Sequence, residues 1–502
     1  MKCIRKDSEM KTKKNIVNIS LPIVQQIVSV LCGLVLPRLI INVYGSQING
    51  LLSSITQFLS FISFMQLGVG AVAQAAWYKP LYEKDTVKVS QIYVSAEKFF
   101  RTIAIFFIGY VLILCFVYPR IVNVNFSNLY VILLILIVAV NMFSQYYFGL
   151  TNQLLLIADQ RAYIPIILQI IVTILNTVIS VYLILSGASI HAMTLVTSII
   201  GLITPFFMHI YVNRKYKINR KIRYDEEPIK QKWNGCMQHI SSVIMDNADV
   251  IVLSIFSTLI NVSIYNVYNL VFNGVRQLIL AAFNSIQSIY GKSIAEGNMG
   301  ATNELFSKSE KITHFIIVIL FACTMSLCWP FINIYTSSIT DADYKAPMFM
   351  IIMILSQIIF CMRTIYYTLI KAAGHFKETQ GSAFVEMILN LIISIIAVKR
   401  YGLVGVAIGT FIASLYRLLY CVNYLKKNIL FRKSSYFLKL ICKDMGIYIL
   451  LLLINSKIVF VKNNLGVFFL NALVIFIADI VISLLFEYCY LKITTKIVET
   501  RH

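Results

Sequence analysis

The sequence predicts an all-α polytopic membrane protein of about fourteen transmembrane helices, built as two parallel six-helix repeats followed by two C-terminal helices. Three observations predict it. Of 502 residues, 59% are hydrophobic and only 13% charged, and the mean hydropathy is +0.78. Soluble domains carry about 25% charged residues, so no water-soluble fold hides this much apolar surface. The apolar residues fall in blocks of about 18 to 30, the length that crosses a hydrocarbon core of roughly 30 Å. Finally, the two halves match each other at an offset of about 213 to 214 residues.

Residues 1–14 are polar and basic, and the apolar stretch that follows is too long for a signal-peptide core and lacks a small-residue cleavage site. It is expected to remain as the first span. Seven spans are expected near 15–43, 47–77, 102–119, 127–151, 163–186, 189–212 and 235–258. Seven more are expected near 262–290, 313–336, 346–370, 381–398, 402–425, 438–460 and 464–491. Residues 15–212 then form an N-lobe, 213–234 a basic cytoplasmic linker, 235–425 a C-lobe, and 426–502 the last two spans with the C-terminus.

The basic residues orient the chain, because loops on the cytoplasmic side retain Lys and Arg. Counted from a cytoplasmic N-terminus, about 34 of the 44 Lys and Arg fall on the cytoplasmic side and about 6 outside. Both termini are expected in the cytoplasm. The net charge of +22 is mostly this asymmetry, with Arg214, Lys215, Lys217, Arg220, Lys221 and Arg223 in one loop. Lys426, Lys427, Arg432 and Lys433 form a second run. Such runs suit anionic lipid headgroups, and no nucleic-acid motif accompanies them.

The repeat is read from matched positions. Glu97-Lys98 before the third span answers Glu310-Lys311 before the ninth, and Leu114-Cys115 answers Leu327-Cys328. Ile174-Leu175-Asn176 with Ile179-Ser180 recurs as Ile388-Leu389-Asn390 with Ile393-Ser394. Six helices return the chain to its starting side, so the copies share an orientation about an axis along the membrane normal. The connectors 79–98 and 292–311 read as amphipathic helices lying at the cytoplasmic interface.

This layout resembles the multidrug, oligosaccharidyl-lipid and polysaccharide flippase superfamily, and within it the polysaccharide (O-antigen type) flippases. The resemblance rests on the 6 + 6 + 2 arrangement, the Tyr44-Gly45 turn with Gly50-Leu51, and the Leu67-Gly68-Val69-Gly70 segment. It rests also on Asn247-Ala248-Asp249 with Tyr265, and on the turn from Ala372 to Lys377. The resemblance implies a multi-pass protein of the bacterial inner membrane. It would flip an undecaprenyl-diphosphate-linked oligosaccharide from the cytoplasmic to the outer leaflet for cell-surface polysaccharide synthesis, with no cofactor. A polysaccharide polymerase and glycosyltransferases are the expected protein partners, and membrane lipids the surroundings.

Charges at bilayer depth normally face a cavity or a partner. Arg38, Arg276, Arg363 and Arg417 qualify, and a diphosphate suits the planar guanidinium fork. The alternative is pairing with carbonyls or snorkelling near a helix end. The eighth span carries Asn266, Asn269, Asn273, Arg276 and Gln277 on one helix face, with Asn284 and Gln287 further on. A water-filled wall is the simplest place for such a stripe. Gln25, Gln57, Asn141 and Gln145 are candidates for the facing wall, or for helix-to-helix hydrogen bonds. Asp246, Asp249 and Glu386 are the carboxylates of the second half assigned to gating or ion coupling, and Asp249 falls within about two residues of the repeat partner of Arg38. The two either close a gate as a pair, or Asp249 binds a coupling ion, or it is a structural tie. Asp479 has no evident partner.

Other signals carry no chemistry. Asp341-Ala342-Asp343 lies in a short external loop with no room for a nucleotide domain. Gly291-Lys292-Ser293 lacks the leading glycine of a phosphate loop, since position 286 is Ile. The six His and ten Cys show no metal-ligand spacing. Three other functions compete: a flippase for a lipid-linked peptidoglycan precursor, a cation-coupled multidrug exporter, and a polytopic glycan polymerase or ligase. The short external connectors weigh against the enzyme, and the acid-free first half against the exporter.

Overall fold

The computed structural model describes residues 2–66, 69–122, 126–222, 236–296, 299–432, 434–458 and 465–499. Among them there is helix and no strand. The helices are α1 (Lys2–Tyr44), α2 (Ser46–Ser60), α3 (Val69–Glu83), α4 (Thr86–Ile121), α5 (Asn128–Ser144), α6 (Leu150–Ala158), α7 (Tyr163–Leu185), α8 (Ile190–Gly201) and α9 (Ile203–Tyr216). The rest are α10 (Cys236–Phe256), α11 (Leu259–Ala295), α12 (Met299–Tyr335), α13 (Pro347–Ala372), α14 (Phe376–Tyr401), α15 (Leu403–Asn428), α16 (Ser434–Ile458) and α17 (Leu465–Glu499). Part of the Leu67-Gly68-Val69-Gly70 segment, Arg223, Lys433 and the Asn284 side chain lie outside the described residues.

Over their described residues, all fourteen expected spans fall on helix. Among the described residues twelve helical segments are long and apolar enough to cross a membrane. The eighth and thirteenth expected spans, α11 and α16, are long helices outside that set. The reason is polar side chains: α11 carries the Asn and Arg stripe, and α16 carries Lys439, Lys443 and Asp444. The second span is α2, a 3-10 turn over Phe61–Gln66, and α3. The fourth joins α5 to α6 through a π-helical turn at Gln145–Gly149.

The amphipathic connectors differ from expectation. Residues 86–98 and 299–311 are the opening turns of α4 and α12, continuous with the spans. Asp85 caps α4 by accepting from the Val87 and Lys88 amides, and the buried face Val89, Ile92, Tyr93, Ala96 runs straight on into the span. Nothing in that face requires a break.

By internal contacts the chain forms two units, Met1–Ser263 and Ile264–His502. The first holds α1–α10, with α10 packed on α2 and the 3-10 turn. Gly45, at φ 93, turns the chain between α1 and α2 in a conformation that favours glycine. Gly50 lets α2 approach the start of α11 so closely that a Cβ there would lie 1.8 Å from the Leu259 carbonyl oxygen. Asn49 donates to Ser263 Oγ at 2.8 Å beside it. In the second unit α14 and α15 pack together, α15 also on α13, and α12 packs on α13, α16 and α17. The repeated Asn390 and Ser394 are buried in the α14–α15 contact, where Asn390 donates to Thr410.

Each unit repeats the same ties within itself. Glu97 on α4 accepts from Arg220, and Glu310 on α12 accepts from Arg432. Arg161 donates to Tyr211 Oη at 3.2 Å, and His375 lies 2.8 Å from Tyr424 Oη. These four pairs of positions are 212 to 214 residues apart.

Candidate functional site

The second unit gathers most of the intramembrane charge. On α11, Arg276 lies over the Phe360 ring of α13, with its guanidinium carbon 5.1 Å from the ring centre. Arg363, one turn along α13, lies 4.5 Å from the same ring. Two cations thus share one aromatic ring, each such contact worth about 2 kcal/mol when desolvated. Arg276 Nε is buried and has no hydrogen-bond partner, and no ion pair to Arg276 exists among the described residues.

Glu386 on α14 joins Arg363 to Arg417 of α15. One carboxylate oxygen accepts from Arg363, and the other lies 3.5 Å from Arg417 Nε. Arg417 is 1% exposed and also donates to the Thr379 carbonyl and to Ser382 Oγ. Three arginines against one glutamate leave a local excess of two positive charges.

Neutral groups nearby are also unsatisfied. Asn266 Nδ2 and Asn273 Oδ1 on α11 and Gln357 Oε1 on α13 are buried without partners. Asn266, Asn273 and Arg276 follow one helix face, as do Gln357, Phe360 and Arg363 on α13. Buried polar atoms of this kind call for a ligand or ordered water. Asn269 is half-buried on the same stripe, and Gln277 is exposed.

The sequence-derived candidates are therefore partly assembled. Arg276, Arg363, Arg417 and Glu386 come together, with Glu386 serving as counter-ion to two of the arginines. In the first unit Gln25, Arg38 and Gln57 are half-buried, Asp249 is buried, and Asp246, three residues before it, is exposed. Asn141 and Gln145 pack within that unit, each close to a glycine: Gly201 for Asn141, Gly149 for Gln145.

Sequence reasoning missed a second cluster. Buried Glu310, His314, Tyr366 and Asp444 form one chain of hydrogen bonds from α12 to α13 and α16, with the half-buried Arg432 donating to Glu310 at its end. Only Glu310 left a trace in the sequence, through its repeat partner Glu97. Asp479, without evident partner in the sequence, accepts from Cys323 Sγ at 3.1 Å and from Asn455 at 3.2 Å. Asp343 caps its loop through the Lys345 amide.

No protein-family model and no curated protein matches the sequence. The structure does have solved likenesses. The lipid II flippase MurJ in an inward closed conformation matches with a TM-score of 0.70 and 16% identity, over 96% of this chain and all of that one. A multidrug resistance MATE family transporter of the MOP superfamily matches in its inward-facing conformation at TM-score 0.67 and 13% identity, over 82% of this chain and 99% of that one. The outward-facing form gives 0.61 and 15%, over 82% and 95%. The chain has the fold of these transporters. MurJ matches 14% more of the chain than MATE does, about 70 residues, which is the size of the α16–α17 pair.

Proposed function

We propose that this protein is a flippase that moves an undecaprenyl-diphosphate-linked oligosaccharide from the cytoplasmic to the outer leaflet of a bacterial inner membrane. It works by alternating access between two lobes, with both termini cytoplasmic, and serves cell-surface polysaccharide synthesis. The observation that carries this reading is Arg276: a guanidinium in an expected span, near the same Phe360 ring as Arg363, with a buried nitrogen that has no hydrogen-bond partner among the described residues. A diphosphate supplies the missing acceptors and matches the excess positive charge. Arg363 and Arg417 are already held by Glu386, and Arg276, with no ion pair among the described residues, is the group of this cluster assigned to recruit the headgroup. Asn269, Asn273 and Gln277 extend its stripe toward the sugar. Arg38, Gln25 and Gln57 are assigned to the substrate from the first unit, and Asp249 and Asp246 to gating or ion coupling.

The test is flipping of lipid-linked oligosaccharide in cells, measured beside protein level. Arg276→Lys keeps charge but loses the fork, so it is expected to be impaired, and Arg276→Ala more so. Full flipping by both Arg276→Ala and Arg38→Ala overturns the cationic-site mechanism.

The 96% coverage of the MurJ likeness, which takes in a segment the size of the C-terminal pair, favours a second reading, a flippase for a lipid-linked peptidoglycan precursor. That substrate carries the same diphosphate. Rescue of cells depleted of their own lipid II flippase decides for it.

A further inference from the structure

Tyr366 has one hydroxyl hydrogen and two neighbours for it. Its Oη lies 2.7 Å from Glu310 Oε1 and 3.1 Å from His314 Nε2. Glu310 Oε2 lies 3.1 Å from the Arg432 guanidinium as its ion-pair partner, and a paired carboxylate only accepts. The hydroxyl hydrogen therefore belongs to Glu310. The contact between Tyr366 Oη and His314 Nε2 must then be filled by a hydrogen on the ring. On the other side of the ring, Nδ1 lies 2.7 Å from Asp444 Oδ2, and that contact needs a hydrogen as well.

Both contacts are filled only when the His314–Asp444 pair holds one proton more than a neutral imidazole and a carboxylate. The pair is then imidazolium facing carboxylate, or imidazole facing carboxylic acid. Without that proton one of the two contacts becomes lone pair against lone pair, in a place where the side chains are 1% and 4% exposed. Charge agrees with the count. Glu310 and Arg432 cancel, and Asp444 has no partner but His314 among the described residues.

We propose that His314 and Asp444 form a proton-binding site whose occupancy fastens α16 to α12. The surrounding charges are otherwise committed. On α12, Lys311 is exposed; on α13, Arg363 faces Glu386; on α16, Lys443 pairs with Glu487 of α17, Lys439 is exposed, and Tyr436 Oη is buried without a partner. Further along, Asp479 of α17 faces Cys323 and Asn455. An apolar contact between α12 and α16 centres on Val318, Ala322, Ile447 and Leu451. Glu310, Tyr366 and Arg432 line a cavity of about 510 Å³, which brings the outer end of the chain within reach of water.

The site belongs to the second unit and stands whether or not the substrate reading does. Amide hydrogen exchange of α16, corrected for intrinsic rates, tests it in the purified protein between about pH 6.5 and 8.5. Opening that releases one proton makes exchange rise about tenfold per pH unit. That slope is expected in the wild type and is expected to vanish in His314→Gln and Asp444→Asn. Tyr366→Phe, which removes only a hydroxyl, keeps the test valid if those two variants fail to fold. Its slope should level off at lower pH than in the wild type, because the closed form loses the Tyr366 oxygen as an acceptor for the ring hydrogen. A flat wild type, His314→Gln or Asp444→Asn retaining the slope, or Tyr366→Phe levelling off at the wild-type pH overturns the proposal.

Discussion

Replacing Glu386 by Gln isolates the energetics of the arginine cluster. The substitution keeps shape and removes the one counter-ion shared by Arg363 and Arg417, whose side chains are 15% and 2% exposed. Arg417 retains the Thr379 carbonyl and Ser382 Oγ, but these are neutral acceptors. Removing one partner of a buried ion pair costs about 3–5 kcal/mol, because the remaining charge stays desolvated and uncompensated. Against a total stability on the order of 5–15 kcal/mol, that loss should lower the melting temperature and the folded yield together. Arg417→Met in the Glu386→Gln background removes the stranded charge and should recover at least half of the loss. Melting in detergent, followed by the fraction still eluting as a single species after heating, reads both variants. If Glu386→Gln melts with the wild type, or the double variant melts no higher than the single, Glu386 is not the counter-ion described.

Two further outcomes follow from the packing. Gly50→Ala places a Cβ 1.8 Å from a backbone oxygen, so the helix must shift at a cost of about 1–3 kcal/mol. Gly109→Ala, with nothing within 4 Å, should be neutral or stabilising in the same melting assay, and equal behaviour of the two would refute the close approach. The repeated carboxylates should hold their basic segments unequally. In Glu97→Gln the released Arg220 is 38% exposed and rehydrates, so the loss is about 1 kcal/mol and tryptic cleavage at Arg220 speeds up about fivefold. Glu310→Gln strands Arg432, 17% exposed, and should speed cleavage at Arg432 by more. Cleavage rates that do not change would show that neither carboxylate holds its segment.

The membrane class and the placement of the spans were legible because hydrocarbon imposes one rule on every residue that crosses it. Apolar length alone locates helices such as α7 and α13. The α11 stripe was legible for a related reason: Asn266, Asn273 and Arg276 repeat at helical spacing, so their shared face follows without knowledge of any neighbour. The opening turns of α4 and α12 were misread as separate interfacial helices. Polarity marks where a helix leaves the lipid, and it does not say whether the helix ends there.

Pairing between helices is of another kind. Glu386 was assigned to gating and Arg363 and Arg417 to substrate, yet the three are one ion cluster, because rotation of α13, α14 and α15 about their axes decides which groups meet. His314 and Asp444 are 130 residues apart on helices that share no motif, so nothing in either neighbourhood announces the contact. The internal repeat is the one signal that reaches across such distances. Glu97 and Glu310 recur in register because each ties its own helix to a basic segment after the sixth or twelfth span. The second copy then adds what the first lacks: Arg101 stands at the position corresponding to His314, and Asn152 at that corresponding to Tyr366. Arg101 pairs directly with Glu97, whereas His314 turns away from Glu310 to reach α16, a helix outside the repeat. Divergence between matched positions, set beside the extra helices, is therefore where a sequence of this architecture points to function that the shared fold does not supply.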